Sequence, residues 1–261
     1  MTTLPRLRSL IFLLFLSLSV VLYSIPLGLL GWLLPVTLLH RLGRSWSRAN
    51  LRALRTICRL DYRVRGLENL PQKNCIAVSN HQSAWETIAL RSILPLRQRW
   101  VLKRELLWVP FFGWGLAPYR PIAINRSAGR SAGQQLLQQG ADSLAAGYWI
   151  IVFPEGTRVP PGASHRYNTG SARLAERTQT PIIPIAHNAG LYWPRQPLRK
   201  KPGTIEVVIG PPIHPRGRSS TELNEAAKSW IDSTLSELID PAQGVRPPNN
   251  MPTLDVDVLR R

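Results

Sequence analysis

The hydrophobic pattern divides the chain in two. Positions 10–39 are almost wholly apolar, and no Lys, Arg, Asp or Glu falls between Arg8 and Arg41. That run exceeds the roughly 20 residues needed to cross a bilayer. Pro26, Gly28, Gly31 and Pro35 interrupt its second half. A proline removes a helix hydrogen bond and clashes with the preceding turn, so one straight helix through the run is disfavoured. Two arrangements fit: a spanning helix with a broken end, or a helical hairpin dipping into one leaflet. A cleaved signal peptide would share the charged start, but the apolar region is too long for one and no clean A-x-A-like site comes after it.

From about Leu67 onward the pattern changes to short β-branched runs alternating with helical stretches, the signature of an α/β layer fold. The expected strands are 75–79, 100–102, 121–124, 148–153, 182–186 and 204–209. The expected helices are 84–92, 130–146, 170–177 and 221–239, the last capped by Ser220 with Glu222 and Glu225 near its positive end. The pattern therefore predicts a membrane anchor over 1–42, a basic juxtamembrane helix over 43–66, a globular domain over 67–240 and a Pro- and Asn-rich disordered tail over 241–261.

Charge sharpens this picture. The chain carries 33 Lys and Arg against 15 Asp and Glu, a net charge of +18. Much of the excess comes directly after the apolar run, at Arg41, Arg44, Arg48, Arg52, Arg55, Arg59, Arg63 and Arg65. A basic block beside a membrane segment is drawn to anionic headgroups and favours a cytoplasmic position for the downstream domain. A solvated helix face is the plainer alternative. Nucleic-acid binding fits poorly, since neither an interleaved basic–aromatic RNA motif nor a helix-turn-helix signature is present. Cys58 and Cys75 form no metal or disulfide framework and are expected as reduced thiols.

Four blocks carry candidate chemistry, each at or just after an expected strand end, where α/β sheets collect ligands. The first runs from Asn80 to Thr87. His81 titrates near neutrality and can take a proton from a hydroxyl, and Glu86 could fix its tautomer. Five positions apart on one helix they would diverge by about 140°, so His81 belongs in the turn with Glu86 reaching back from the first helical turn. Ser83 and Glu86 also read as a capping box, a purely structural role. The second block holds Lys103 and Arg104, an aromatic stretch with Trp108, Phe111, Phe112 and Trp114, and then Asn125-Arg126. Cations among glycines suit a phosphate, and the aromatics suit an acyl chain or the membrane interface. A core turn with two surface cations is the alternative. The third is Phe153-Pro154-Glu155-Gly156-Thr157-Arg158, where Arg158 offers a planar fork for phosphate and Glu155 can brace it or the turn. The fourth, 180–188, contains Pro181 and Pro184, which favour an edge strand or a special backbone role. Its His187 is expected to be structurally satisfied rather than catalytic.

In this order the four blocks resemble the 1-acylglycerol-3-phosphate acyltransferase (lysophosphatidic acid acyltransferase, PlsC-like) family over about 67–212, and the anchored N-terminus is also similar. The resemblance implies a mixed sheet flanked by helices, with His81 as general base and Glu86 orienting it. It makes Arg126 and Arg158 phosphate ligands, Lys103 a further candidate, and Glu155, Gly156 and Thr157 part of the acceptor-binding turn. The family usually has Asp where this chain has Glu86. The implied reaction moves an acyl group from acyl-CoA or acyl carrier protein to the sn-2 hydroxyl of 1-acylglycerol-3-phosphate, with no metal or other cofactor, at the bacterial inner membrane with the domain facing the cytoplasm. Membrane lipids are the implied partners, and nucleic acid is not. Another lyso-lipid acceptor, such as lyso-ornithine lipid, would use the same machinery. The absence of a Gly-x-Ser-x-Gly elbow argues against a serine acyl-enzyme, and a non-catalytic membrane scaffold would show no acyl transfer at all.

Overall fold

A computed structural model describes residues 3–125, 128 and 130–239. Seven strands form one sheet, in the order β1-β7-β6-β2-β5-β3-β4. They span Leu60–Arg65 (β1), Ile76–Ser79 (β2), Gln98–Lys103 (β3), Ile122–Ile124 (β4), Trp149–Val152 (β5), Ile182–His187 (β6) and Gly203–Ile209 (β7). From β6 to β4 all neighbours are parallel, whereas β7 pairs antiparallel to β6 and parallel to β1. Five carboxyl ends, those of β6, β2, β5, β3 and β4, therefore share one edge of the sheet.

The central strands read as unbroken hydrophobic runs because both faces are covered. Ala77, Ile151, Ile183, Ile185, Ile205 and Val207 point to one face. There they meet Leu54 of α2 (Val36–Cys58) and Trp85 and Leu90 of α3 (Trp85–Ile93). Ile76, Val78, Ile150 and Val152 point the other way, into Leu136 of α5 (Arg130–Ala145), Leu174 of α6 (Gly170–Thr178) and Ile231 of α8 (Ser220–Ile239). Two short helices, α4 (Phe112–Leu116) and α7 (Ala189–Tyr192), complete the set.

The N-terminus is a helical hairpin. α1 (Thr3–Leu30) carries Pro26 within it, and the break comes later, at a short 3-10 turn over Gly31–Leu33 followed by Pro35. α1 lies along the domain rather than projecting from it. Phe12 is fully buried in the core against Trp193, and the Lys200 backbone N–H donates to Ser9 Oγ at 3.2 Å. Near its other end a Cβ on Gly115 would collide with Ser24 Oγ, so glycine permits the close approach of α4. The opposite side of α1 is a stripe of exposed apolar side chains at Leu4, Leu7, Ile11, Leu14, Leu18, Leu22, Ile25 and Leu29, spaced by three or four. Trp108, Val109, Phe112 and Trp114 add exposed apolar surface beyond it.

Three expectations need correction. The basic helix expected over 43–66 starts earlier, at Val36, and ends at Cys58; Arg59 then turns left-handed (φ 53°). Residues Leu60–Arg65 are strand, so the domain begins before Leu67. The arginines masked a segment whose Leu60, Tyr62 and Val64 suit a pleated surface beside β7. The last helix is capped by Ser219, not Ser220: its amide and hydroxyl both donate to Glu222 Oε2 at 2.7 Å, and the Glu222 amide returns to Ser219 Oγ at 3.3 Å, a reciprocal capping box. Of the two roles expected for the prolines of β6, an edge strand or a special backbone role, the second holds, since β6 is an interior strand. Its ladder with β7 begins at Ile185, so the missing Pro184 donor falls just outside it while the Pro184 carbonyl accepts from Gly210.

Candidate active site

The site sits where β2, β5 and β6 end. After β2 the chain turns through Asn80–Ala84 and enters α3, placing His81 in the turn and Glu86 in the first helical turn. His81 Nδ1 lies 2.7 Å from Glu86 Oε1. The same oxygen accepts the backbone N–H groups of Gln82 at 2.9 Å and Ser83 at 2.7 Å. Both readings of Glu86 are thus realised by one atom: it closes the turn before α3 and it holds the imidazole. A carboxylate accepting at Oε1 requires the proton on Nδ1, which leaves Nε2 as the basic nitrogen. The ring is 17% exposed while the carboxylate is fully buried. It stacks on Phe153, with centroids 4.4 Å apart and planes 18° apart, so the base is fixed on both sides.

Burial works to raise the Glu86 pKa. The nearby His187 imidazole, the bond and charge of His81 and the Ser83 amide outweigh it and hold the carboxyl below its ordinary range. Burial in turn holds the His187 imidazole below its ordinary range. Glu86 therefore remains ionised where it meets the His81 ring.

The segment after β5 folds back under this turn. Glu155 Oε2 accepts the His81 backbone N–H at 3.0 Å, and the Val159 N–H donates to the His81 carbonyl at 2.7 Å. Burial pushes the Glu155 carboxyl up to about 8. Within its turn Glu155 thus ties the segment after β5 to the His81 backbone. Gly156 has φ 70°, a left-handed conformation that glycine adopts without strain, and its N–H bonds the Phe153 carbonyl at 3.1 Å. Thr157 is exposed and Arg158 half-buried in the same turn.

The remaining candidates are Lys103 and Arg126. Lys103 ends β3 two strands from β2, is exposed, and lies 3.8 Å from Glu105. Its register partner is Ile124, so the ends of β3 and β4 lie side by side. Arg126 lies outside the described residues. Sequence reasoning set aside His187, yet it is fully buried at the end of β6, next to β2. Asn80 clamps it reciprocally: Asn80 Nδ2 donates to the His187 carbonyl and the His187 N–H to Asn80 Oδ1, both at 3.0 Å. Only strand order, invisible in a local motif, brings these two together.

An imidazole backed by a buried carboxylate thus sits at the rim of an α/β sheet. The acyltransferase family model matches residues 61–188, from the second residue of β1 to just past β6. Over 253 residues the chain is 43% identical to the 1-acyl-sn-glycerol-3-phosphate acyltransferase of Pseudomonas aeruginosa, covering 95% of this chain and 98% of that protein. It is 30% identical over 176 residues to the mouse 1-acyl-sn-glycerol-3-phosphate acyltransferase alpha, covering 66% of this chain and 62% of the mouse protein. The fold is also that of a crystal structure, the 1-acyl-sn-glycerophosphate (LPA) acyltransferase PlsC from Thermotoga maritima, with a TM-score of 0.74 at 23% identity over 89% of this chain and 95% of that one. The chain belongs to the 1-acyl-sn-glycerol-3-phosphate acyltransferase family.

Proposed function

We propose that the chain transfers a fatty acyl group from an acyl thioester to the sn-2 hydroxyl of 1-acylglycerol-3-phosphate, yielding phosphatidic acid. The observation that carries this reading is the 2.7 Å His81–Glu86 contact, which leaves Nε2 of a part-exposed ring as the base. His81 takes the hydroxyl proton as that oxygen attacks the thioester carbonyl, Glu86 steadies the imidazolium, and the carrier thiol leaves with the proton. Arg158, at the same sheet edge, and Lys103 bind the acceptor phosphate, with Gly156 and Thr157 shaping the turn. The donor is acyl-CoA or acyl carrier protein; both present the same thioester.

The N-terminal hairpin supports action at a membrane. α1 is long and apolar enough to cross one, about 42 Å at 1.5 Å per residue. Yet α2 packs along it with Arg41, Arg44, Arg48, Arg52 and Arg55 in one helical stripe. A perpendicular crossing would draw these charges into hydrocarbon, which is costly. We infer that α1 lies within one leaflet, its exposed stripe in lipid and the arginines at the headgroups, on the cytoplasmic face of a bacterial inner membrane.

The test is an assay of purified protein with lysophosphatidic acid and a labelled acyl thioester. His81→Ala should lower turnover on the order of 10²- to 10⁴-fold, the share general acid–base catalysis contributes. Arg158→Ala should lose activity toward phosphorylated acceptors and spare those without a phosphate. Undiminished turnover by His81→Ala refutes the reading.

A further inference from the structure

Glu86 is served unevenly. Its Oε1 accepts three hydrogen bonds, whereas its Oε2, equally buried, accepts none among the described residues. The polar atom facing Oε2 is His187 Nε2, at 4.0 Å, on a side chain as fully buried as Glu86 itself. The tautomer of His187 is set by its other nitrogen: Nδ1 stands 3.3 Å from the Ala189 backbone N–H and accepts from it. Nε2 therefore carries the proton. That N–H donates to the Asn80 carbonyl at 3.0 Å, and the same electropositive corner of the ring lies 4.0 Å from Glu86 Oε2. The Trp85 ring closes that space from α3, edge-on to His187 with centroids 6.0 Å apart.

We propose that His187 is a positioning residue for the base, holding the Glu86 carboxylate in its ionised form and aimed at His81 from the side His81 does not reach. The inference rests on the reading of His81 as general base. A buried carboxylate with one bare oxygen is an easy place for a proton, because desolvation favours the neutral acid and nothing on that side favours the anion. Protonated at Oε2, Glu86 can no longer steady an imidazolium. The His187 N–H dipole opposes that protonation, and in a low-dielectric interior such a dipole counts for more than in water. The titratable groups facing Glu86 are His81 from the turn after β2, His187 from β6 and Glu155 from the segment after β5. Glu155 is unchanged in every His187 variant. Asn80 holds the His187 backbone at both its N–H and its carbonyl, so side-chain exchange leaves β6 tied to the turn.

The experiment compares pH profiles of kcat and kcat/KM for wild type, His187→Phe, His187→Leu and His187→Gln, with lysophosphatidic acid and an acyl-CoA. Phe and Leu remove the donor. Gln places an amide N–H the same number of bonds from the backbone as His Nε2. A donorless variant should lower kcat roughly tenfold, a part of the ~10²–10⁴-fold that acid–base catalysis supplies, with acceptor KM little changed. Its acidic limb should move up by about one pH unit, because the buried carboxylate loses the nearby dipole that favours its ionised form. Gln should restore both. The limb is read on whichever donorless variant melts within a few degrees of wild type. Equal impairment of the donorless and Gln variants with an unmoved limb would show a packing role and overturn the proposal, as would wild-type kinetics in a donorless variant. His81→Ala is run alongside. If it is active, the base reading itself fails; if it is inactive while the donorless variants behave as wild type, this inference alone fails.

Discussion

Among single side chains, Glu86 meets two demands that the sequence presents as alternatives. A capping glutamate and an orienting carboxylate need different geometries on paper, yet one oxygen takes two backbone amides and the imidazole together. The His81–Glu86 pair was legible because both residues lie in one octapeptide, where helical geometry alone dictates that the histidine precede the helix. The part played by Glu155 was not, since it depends on the post-β5 segment folding beneath a turn 74 positions earlier. Its burial has a measurable consequence. With its folded pKa pushed to about 8 from an ordinary 4.5, native protein binds this proton more tightly than unfolded chain. Stability from this group is therefore fully present below the unfolded value and is lost as pH rises through the folded one. Urea midpoints should fall between pH 5 and pH 8 in wild type, and Glu155→Gln should flatten that fall. A slope unchanged by the substitution would show that the carboxyl is not the source.

Secondary elements show where periodicity suffices and where it is overruled. The helices at α3, α5, α6 and α8 and the central strands match the sequence pattern to within a residue or two, because each is a clean run bounded by turn residues. β1 was hidden by its arginines, which mark charge and not conformation. The apolar run over 10–39 breaks in its second half as expected, at Gly31 and Pro35, while Pro26 is absorbed within α1. α1 has two faces with opposite duties, and they predict opposite phenotypes. Aspartate at Leu14 or Leu18, which are 62% and 58% exposed, should release the protein from membranes into the soluble fraction with its melting temperature intact. Phe12→Ala on the other face should destabilise by about 3–5 kcal/mol, as large-to-small core changes do. Fractionation and thermal melting of the two sets of variants separate these outcomes.

Across the whole molecule, the α/β class was evident from alternating elements, but the strand order was not. Nothing local reveals that β6 neighbours β2, and that adjacency is what sets His187 behind Glu86. Net charge pointed to an anionic surface, and the fold gives the charge a shape by lining arginines along α2 beside the apolar stripe of α1. One small contact at the root of this hairpin has a practical use. Cys58, at the end of α2, is 4% exposed and its thiol meets the Arg8 carbonyl of α1 at 3.6 Å; burial also raises its pKa. The sulfur is thus shuttered by the anchor itself. With Cys75→Ala as background, the rate at which a maleimide finds Cys58 clocks how often α1 peels away from the body of the protein, and vesicles that trap the anchor in place should slow that clock.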